Sequence, residues 1–181
     1  MKRTNIIKSL GIAATTIGVL ATATAPASAS VPGTPMYRAN IATNVDNFCV
    51  EVSGSSTADG AKVDTAPCST VPANNQLWTF VYEKSSADGV TFYYNVVNYH
   101  SGKCLDLYQG GTSIGTLITQ NTCNANNSQL WWFANNGYKI QDLVNLHAGW
   151  SLSDPDIAGA SVKLDYNGGD YYYLGNLKGL N

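Results

Sequence analysis

Charge is scarce in this 181-residue sequence: Asp, Glu, Lys and Arg together make up 12% of it. Ten residues are basic, and Lys2, Arg3 and Lys8 crowd into the first eight positions. From Ser30 onward seven basic residues stand against twelve acidic ones, a formal charge of −5. A chain so short of cations excludes nucleic acid and anionic membrane as partners, since both are gripped mainly by Lys and Arg. Long apolar runs are missing too. Beyond the opening segment nothing approaches the ~20 consecutive apolar residues that cross a bilayer as a helix. Sustained helical periodicity with caps is also absent there, which removes helical architectures. The nucleophile elbow, the phosphate loop and clustered metal ligands all fail to appear. No cofactor and no metal site are expected, and without an oxygen-ligand cage any binding should be calcium-independent.

What is plentiful is Asn, Ser, Thr, Gly and Tyr, a composition suited to a loop-rich β protein with neutral polar surfaces. Residues 1–29 read as a cleaved secretory signal peptide: a basic start, a short apolar run and the small triplet Ala27-Ser28-Ala29. A membrane anchor is the competing reading, but the run is diluted by threonines and leads straight into the cleavage triplet. The remainder, about 150 residues, makes one domain large enough to bury a core. A monomer is expected.

That domain is a repeat. Cys104, Gly115, Ile118 and Cys123 fall on Cys49, Gly60, Val63 and Cys68 at a constant shift of 55, and both units end in Gln-Leu-Trp, at Gln76–Trp78 and Gln129–Trp131. A third copy is weaker. Asn98–Gly102 matches Asn145–Gly149 at a shift of 47, and Gly115 and Ile118 match Gly159 and Val162 at a shift of 44. Its cysteine positions hold Ser151 and Asn167, and its Gln-x-Trp has become Asp170-Tyr171-Tyr172. One such unit cannot bury its apolar face alone, whereas three share a core.

The four cysteines form two pairs, each 19 residues apart. Spacing does not choose among the three possible connectivities. Equivalence of the repeats does, and it predicts Cys49–Cys68 and Cys104–Cys123. Zinc competes weakly, because no C-x-x-C is present. Strands dominate the local pattern. Cys49–Val52 and Cys104–Leu107 alternate, sending aliphatics to one face and a carboxylate to the other. Thr91–Tyr99 and Tyr171–Leu174 are rich in aromatic residues, and Gly-containing breaks at Ser53–Gly60, Asp88-Gly89, Gly110-Gly111, Asn136-Gly137 and Gly168-Gly169 separate the segments. The fold class is all-β.

Three units carrying C-[LV]-[DE]-[LV], a Gly-rich turn, a second Cys and Q-L-W resemble the ricin-type β-trefoil lectin domain, from about Tyr37 to Leu174. The resemblance implies a β-trefoil of twelve strands with pseudo-three-fold symmetry. It places a linker at residues 30–36 and the domain at 37–181, with lobes of about 37–82, 91–134 and 137–175. Trp78 and Trp131 are then core residues, with Tyr172 as the third lobe's substitute. Gln76 and Gln129 serve the fold and brace an acidic residue. The implied activity is carbohydrate binding. A typical pocket of this family has an Asp in C-x-D, an aromatic two residues before the second Cys, and an Asn just before the Gln.

Each lobe departs from that pattern. The first has Glu51 for Asp, Ala66 for the aromatic, and Asn75 beside Gln76. The second keeps Asp106 but has Asn121 for the aromatic and Ser128 beside Gln129. The third has Ser153, Asp165 and Gly169, and is expected to have lost this kind of binding. Tyr166 is displaced by one residue, which on a strand turns its ring to the opposite face. The second lobe is favoured, with Tyr108, two residues along from Asp106, as a substitute platform or an ordinary turn tyrosine. For Asp106 itself, sugar acceptor and structural brace both stand. Trp132 and Trp150 lie off the core pattern as candidate solvent-facing aromatics.

Three function classes remain. The first is a secreted, extracellular lectin for neutral saccharides, in polysaccharides or glycans. The second is a protein-binding trefoil such as a protease inhibitor, motivated by the eroded pockets. The third is a free-standing hydrolase. His100 and His147 occupy equivalent hairpin positions and read as inherited from the repeat, and Asp154 and Asp156 sit in a polar turn, so no catalytic residue is assigned and the protein is not expected to be an enzyme.

Overall fold

The computed structural model describes residues 33–43, 47–70, 73–124, 126–135, 141–153, 155, 157–166 and 172–179. The expected leader, the start of the linker, the breaks at Asn136-Gly137 and Gly168-Gly169, and Asp154, Asp156, Asn167 and Asp170 lie outside the described residues.

Each repeat contributes four strands. The first supplies β1 (Thr34–Thr43), β2 (Phe48–Val52), β3 (Ala61–Pro67) and β4 (Leu77–Ser85). The second supplies β5 (Phe92–Asn98), β6 (Cys104–Leu107), β7 (Ile118–Asn121) and β8 (Leu130–Asn135). The third supplies β9 (Gln141–Asn145), β10 (Ser151–Leu152), β11 (Leu164–Asp165) and β12 (Tyr172–Gly179). Antiparallel pairing of β1 with β4, β4 with β5, β5 with β8, β8 with β9, β9 with β12 and β12 with β1 closes a six-stranded barrel. Closure removes the exposed edges an open sheet would present. The hairpins β2–β3, β6–β7 and β10–β11 cap one end. They meet through β3 and β7, and through the bridges Asp64↔Ser161 and Leu117↔Lys163. This is the all-β, three-fold trefoil the repeats imply.

Two boundaries differ from expectation. β1 starts at Thr34, where it pairs with Tyr82 of β4, so the domain begins inside the expected linker. β12 runs to Gly179 and pairs there with Tyr37, carrying the third lobe past residue 175. Local sequence is polar at both places, and barrel closure makes them strand.

The core follows the repeat closely. Val50, Val52 and Val63 from the first cap, Leu105, Leu107 and Ile118 from the second, and Leu152, Val162 and Leu164 from the third are all fully buried. Each such side chain contributes about 1.5–3 kcal/mol of apolar transfer. Trp78, Trp131 and Tyr172 lie in the same cluster, as expected of them. Their polar atoms are anchored: Trp78 Nε1–H donates to the Val50 carbonyl at 2.9 Å, Trp131 Nε1–H to that of Leu105 at 3.0 Å, and the Tyr172 hydroxyl to that of Ser153. Both predicted disulfides, Cys49–Cys68 and Cys104–Cys123, are formed.

The lobes are linked in a cycle. Gly60 donates its N–H to Gln120, Gly115 to Leu164, and Gly159 to Thr65, so each lobe's cap turn binds the next lobe. All three glycines have positive φ, between 75° and 85°, which other residues rarely adopt. This is the physical reason for the glycine in the repeat.

Candidate functional site

In the first two lobes a glutamine holds an acidic side chain in one geometry. Gln76 Nε2 donates to Glu51 Oε2 at 2.9 Å and to the Pro67 carbonyl at 3.2 Å, while its Oε1 accepts from Ser69 N–H at 3.0 Å. Gln129 Nε2 donates to Asp106 Oδ2 at 3.0 Å and to the Thr122 carbonyl at 3.2 Å, while its Oε1 accepts from Asn124 N–H at 2.8 Å. A short 3-10 turn, Asn74–Gln76 or Asn127–Gln129, presents each glutamine. An asparagine from the following strand fastens that turn: Asn98 donates to the Asn75 carbonyl and Asn145 to that of Ser128, each at 2.8 Å. The amide is thus fully satisfied on the protein side, and the acid is fixed by it.

The acids themselves differ. Asp106 is only 7% exposed. Its Oδ1 accepts from Leu107 N–H at 2.8 Å, and its Oδ2 accepts from both Gln129 and Asn121 at 3.0 Å. Three of about four acceptor positions on a carboxylate are then filled from within the lobe. Asn121 is consumed too, since its Oδ1 accepts from Gly60 N–H at 2.8 Å. Glu51 is half-buried. Its Oε2 accepts from Gln76 and, at 3.2 Å, from Asn75, while its Oε1 has no partner among the described residues. Asn75 also donates to the Val52 carbonyl at 3.3 Å, which fixes its amide beside the acid.

Tyr108 needs correcting as a neighbour of Asp106 on one strand. β6 ends at Leu107, and Tyr108–Gly110 is a 3-10 turn in which Gln109 has φ 52°, so strand alternation stops before the tyrosine. Its ring is 45% exposed, and its hydroxyl accepts from Gln109 Nε2 at 3.3 Å. The other aromatics are placed more clearly. Tyr166 follows the end of β11 at Asp165 and meets Trp150 edge-on at 5.7 Å, while Trp150 packs against the core. Trp132 is half-buried beside Phe92 and Phe133 in an aromatic cleft of about 280 Å³.

A polar cleft of about 480 Å³ opens in the second lobe, lined by Gly110, Asn126, Asn127, Ser128 and His147. The sequence pointed only to Ser128 among these. His147 belongs to the third lobe's first hairpin, whose turn is held when Asn145 Oδ1 accepts its N–H at 2.9 Å. The same asparagine clasps Ser128, and this brings the histidine of one lobe to the cleft of the previous one. His100 holds the equivalent turn position after the first lobe, its N–H donating to Asn98 Oδ1 at 3.1 Å. The repeat phase contained this signal, although a lone histidine in a hairpin did not advertise it.

The family model described as "Ricin-type beta-trefoil lectin domain-like" matches residues 74–165, half of the chain. No curated protein matches the sequence. Among solved structures, a designed 3-fold symmetric protein, ThreeFoil, is similar at 29% identity and TM-score 0.67, over 77% of this chain and 98% of its own. The agglutinin from Abrus precatorius is 23% identical with TM-score 0.59, over 77% of this chain and 48% of its own. The earthworm R-type lectin C-half, solved in complex with GalNAc, is 17% identical with TM-score 0.54, over 80% of this chain and 99% of its own. The last two likenesses speak to the fold. The family match covers the whole second lobe and its glutamine clasp, and the chain belongs to the ricin-type beta-trefoil lectin domain-like family.

Proposed function

We propose that the protein is a secreted carbohydrate-binding module that takes saccharide hydroxyls in shallow polar sites of its first two lobes. The observation that carries this reading is the repeated clasp, in which Gln76 and Gln129 hold Glu51 and Asp106 in one orientation. A carboxylate held by a neutral amide has its remaining lone pairs fixed in direction, which suits a ligand rich in hydroxyl donors. In the second lobe the polar lining of Gly110, Asn126, Asn127, Ser128 and His147 suits a neutral saccharide. Such a cleft offers fixed donors and acceptors and little apolar area, so affinity per site is expected to be weak. Sites in two lobes raise it through multivalency on a polymer. Two disulfides support an oxidising, extracellular location.

A glycan and polysaccharide screen of the protein, alongside Glu51→Ala and Asp106→Ala, tests this. Binding by the wild type, reduced in either variant with folding intact, is the expected result. Absence of binding across neutral and charged saccharides would overturn the reading in favour of a protein ligand.

A further inference from the structure

We infer that the first lobe prefers saccharides bearing a positive charge, amino sugars above all, and that Asp64 sets this preference from beside Glu51. The inference rests on the carbohydrate-binding reading and adds a ligand class to one lobe.

In the β2–β3 hairpin Glu51 pairs directly with Asp64. Directly opposed residues of an antiparallel pair point to the same face with Cβ atoms about 5 Å apart. Two carboxylates therefore share the face that carries the glutamine clasp. The corresponding partner is Thr119 in the second lobe, opposite Asp106. The repeat places Lys163 there in the third. Asp64 is only 6% exposed, and its Oδ1 is shielded from solvent with no hydrogen-bond partner among the described residues. Its Oδ2 lies 3.6 Å from Lys62 Nζ, a loose contact to a side chain 45% exposed.

Like charges placed directly across a sheet destabilise it, and a buried carboxylate lacking hydrogen bonds costs more still. Asp64 braces no turn through its unpartnered oxygen, so the fold gains little from this charge. In its ionised form, in contrast, its field is strong where water is excluded and adds to that of Glu51 beside it. Lys62 offsets it in part, but a half-exposed ammonium is screened by water and salt. A neutral hydroxyl can use Oε1 as an acceptor and gains little from the second charge. An ammonium group brings three N–H donors and a full positive charge, and gains from both.

The test compares a β-1,4-linked glucosamine hexamer with its fully N-acetylated counterpart, by titration calorimetry at low salt. Wild-type protein should bind the amino oligomer more tightly, and Asp64→Asn should weaken that binding about tenfold while leaving the acetylated oligomer unchanged. Lys62→Ala, at a half-exposed site, should move the preference the other way. Raising the salt concentration should shrink the preference in the wild type and little in Asp64→Asn. Equal affinity for the two oligomers in the wild type, or an unchanged ratio in both variants, would overturn the inference and leave the carbohydrate reading standing. Failure to bind any saccharide in the wider screen would overturn both.

Discussion

Lobes one and two hold their acids with the same glutamine clasp, atom for atom, yet the two acids are left in different states. Asp106 is drawn in and bonded on both oxygens, whereas half-buried Glu51 has a partner on only one oxygen among the described residues. Two neighbouring substitutions account for this. In the second lobe Asn121 occupies the position where the family carries an aromatic, and its amide closes on Asp106. In the first, Ala66 at that position has no polar atoms to offer, and Asn75 approaches from the turn instead. A further difference lies in the turn after the acid, where Gly110 lines the second lobe's cleft and the repeat places Ser55 in the first lobe. The same scaffold thus holds an acid bonded on both oxygens in one lobe and an acid bonded on one oxygen in the other.

The largest effects should leave the lobes equal. Trp78→Ala and Trp131→Ala should each cost about 3–5 kcal/mol in denaturant unfolding, because both indoles fill the shared core. A large gap between them would break the equivalence on which the comparison stands. Removing one disulfide, as Cys49→Ser with Cys68→Ser or Cys104→Ser with Cys123→Ser, should cost about 3 kcal/mol in either lobe, since the loops closed are equal. The glutamines should then separate the lobes. Gln129→Ala strips a donor from a buried carboxylate and should cost about 2–3 kcal/mol, while Gln76→Ala, facing a half-buried one that water can reach, should cost about 1 kcal/mol. Thermal unfolding of both variants measures the difference.

The acids sharpen the contrast further. Asp106→Ala should destabilise by about 1–2 kcal/mol, because Gln129 and Asn121 lose a shared acceptor, whereas Glu51→Ala should stay within ~0.5 kcal/mol and act mainly on binding. The smallest effect concerns the seam between the lobes. The Lys103 ammonium at 2.8 Å and the Thr122 hydroxyl and N–H hold the Asp59 carboxyl below the usual range. A depressed carboxylate stabilises the fold above its unfolded pKa and loses that contribution as pH falls through its folded one. Acid unfolding of Asp59→Asn should therefore show a slightly flatter pH dependence than wild type below about pH 4. The pair is exposed, so the change should be small.

Much of this architecture was legible in the chain. Cysteine spacing and the Gln-Leu-Trp tripeptides mark two equivalent units, the recurring glycines extend the repeat to a third, equivalence predicts the disulfides, and the family resemblance implies the core aromatics. Tyr166, displaced by one residue, lies just past the end of β11, where alternation no longer applies, and meets Trp150 edge-on. Strand alternation overreached at Tyr108, because nothing local announces that β6 stops at Leu107 and the backbone turns through positive φ at Gln109. The polar ends at Thr34 and Gly179 were likewise hidden, since their strand character comes from partners far away in sequence.

What the sequence determined by itself is the unit and its multiplicity: periodic apolar positions and turn glycines are local, and three copies leave one compact way to cover their apolar faces. Only the tertiary structure decided what each copy's polar residues do. Whether Asp106 is occupied, whether Glu51 is bonded on one oxygen or both, which lobe's histidine borders the neighbouring cleft, and that Asp64 stands across from Glu51 all depend on distances between residues remote in the chain. Hydrogen bonds and electrostatic fields act over a few ångströms, and those distances are set by packing and register rather than by spacing along the sequence.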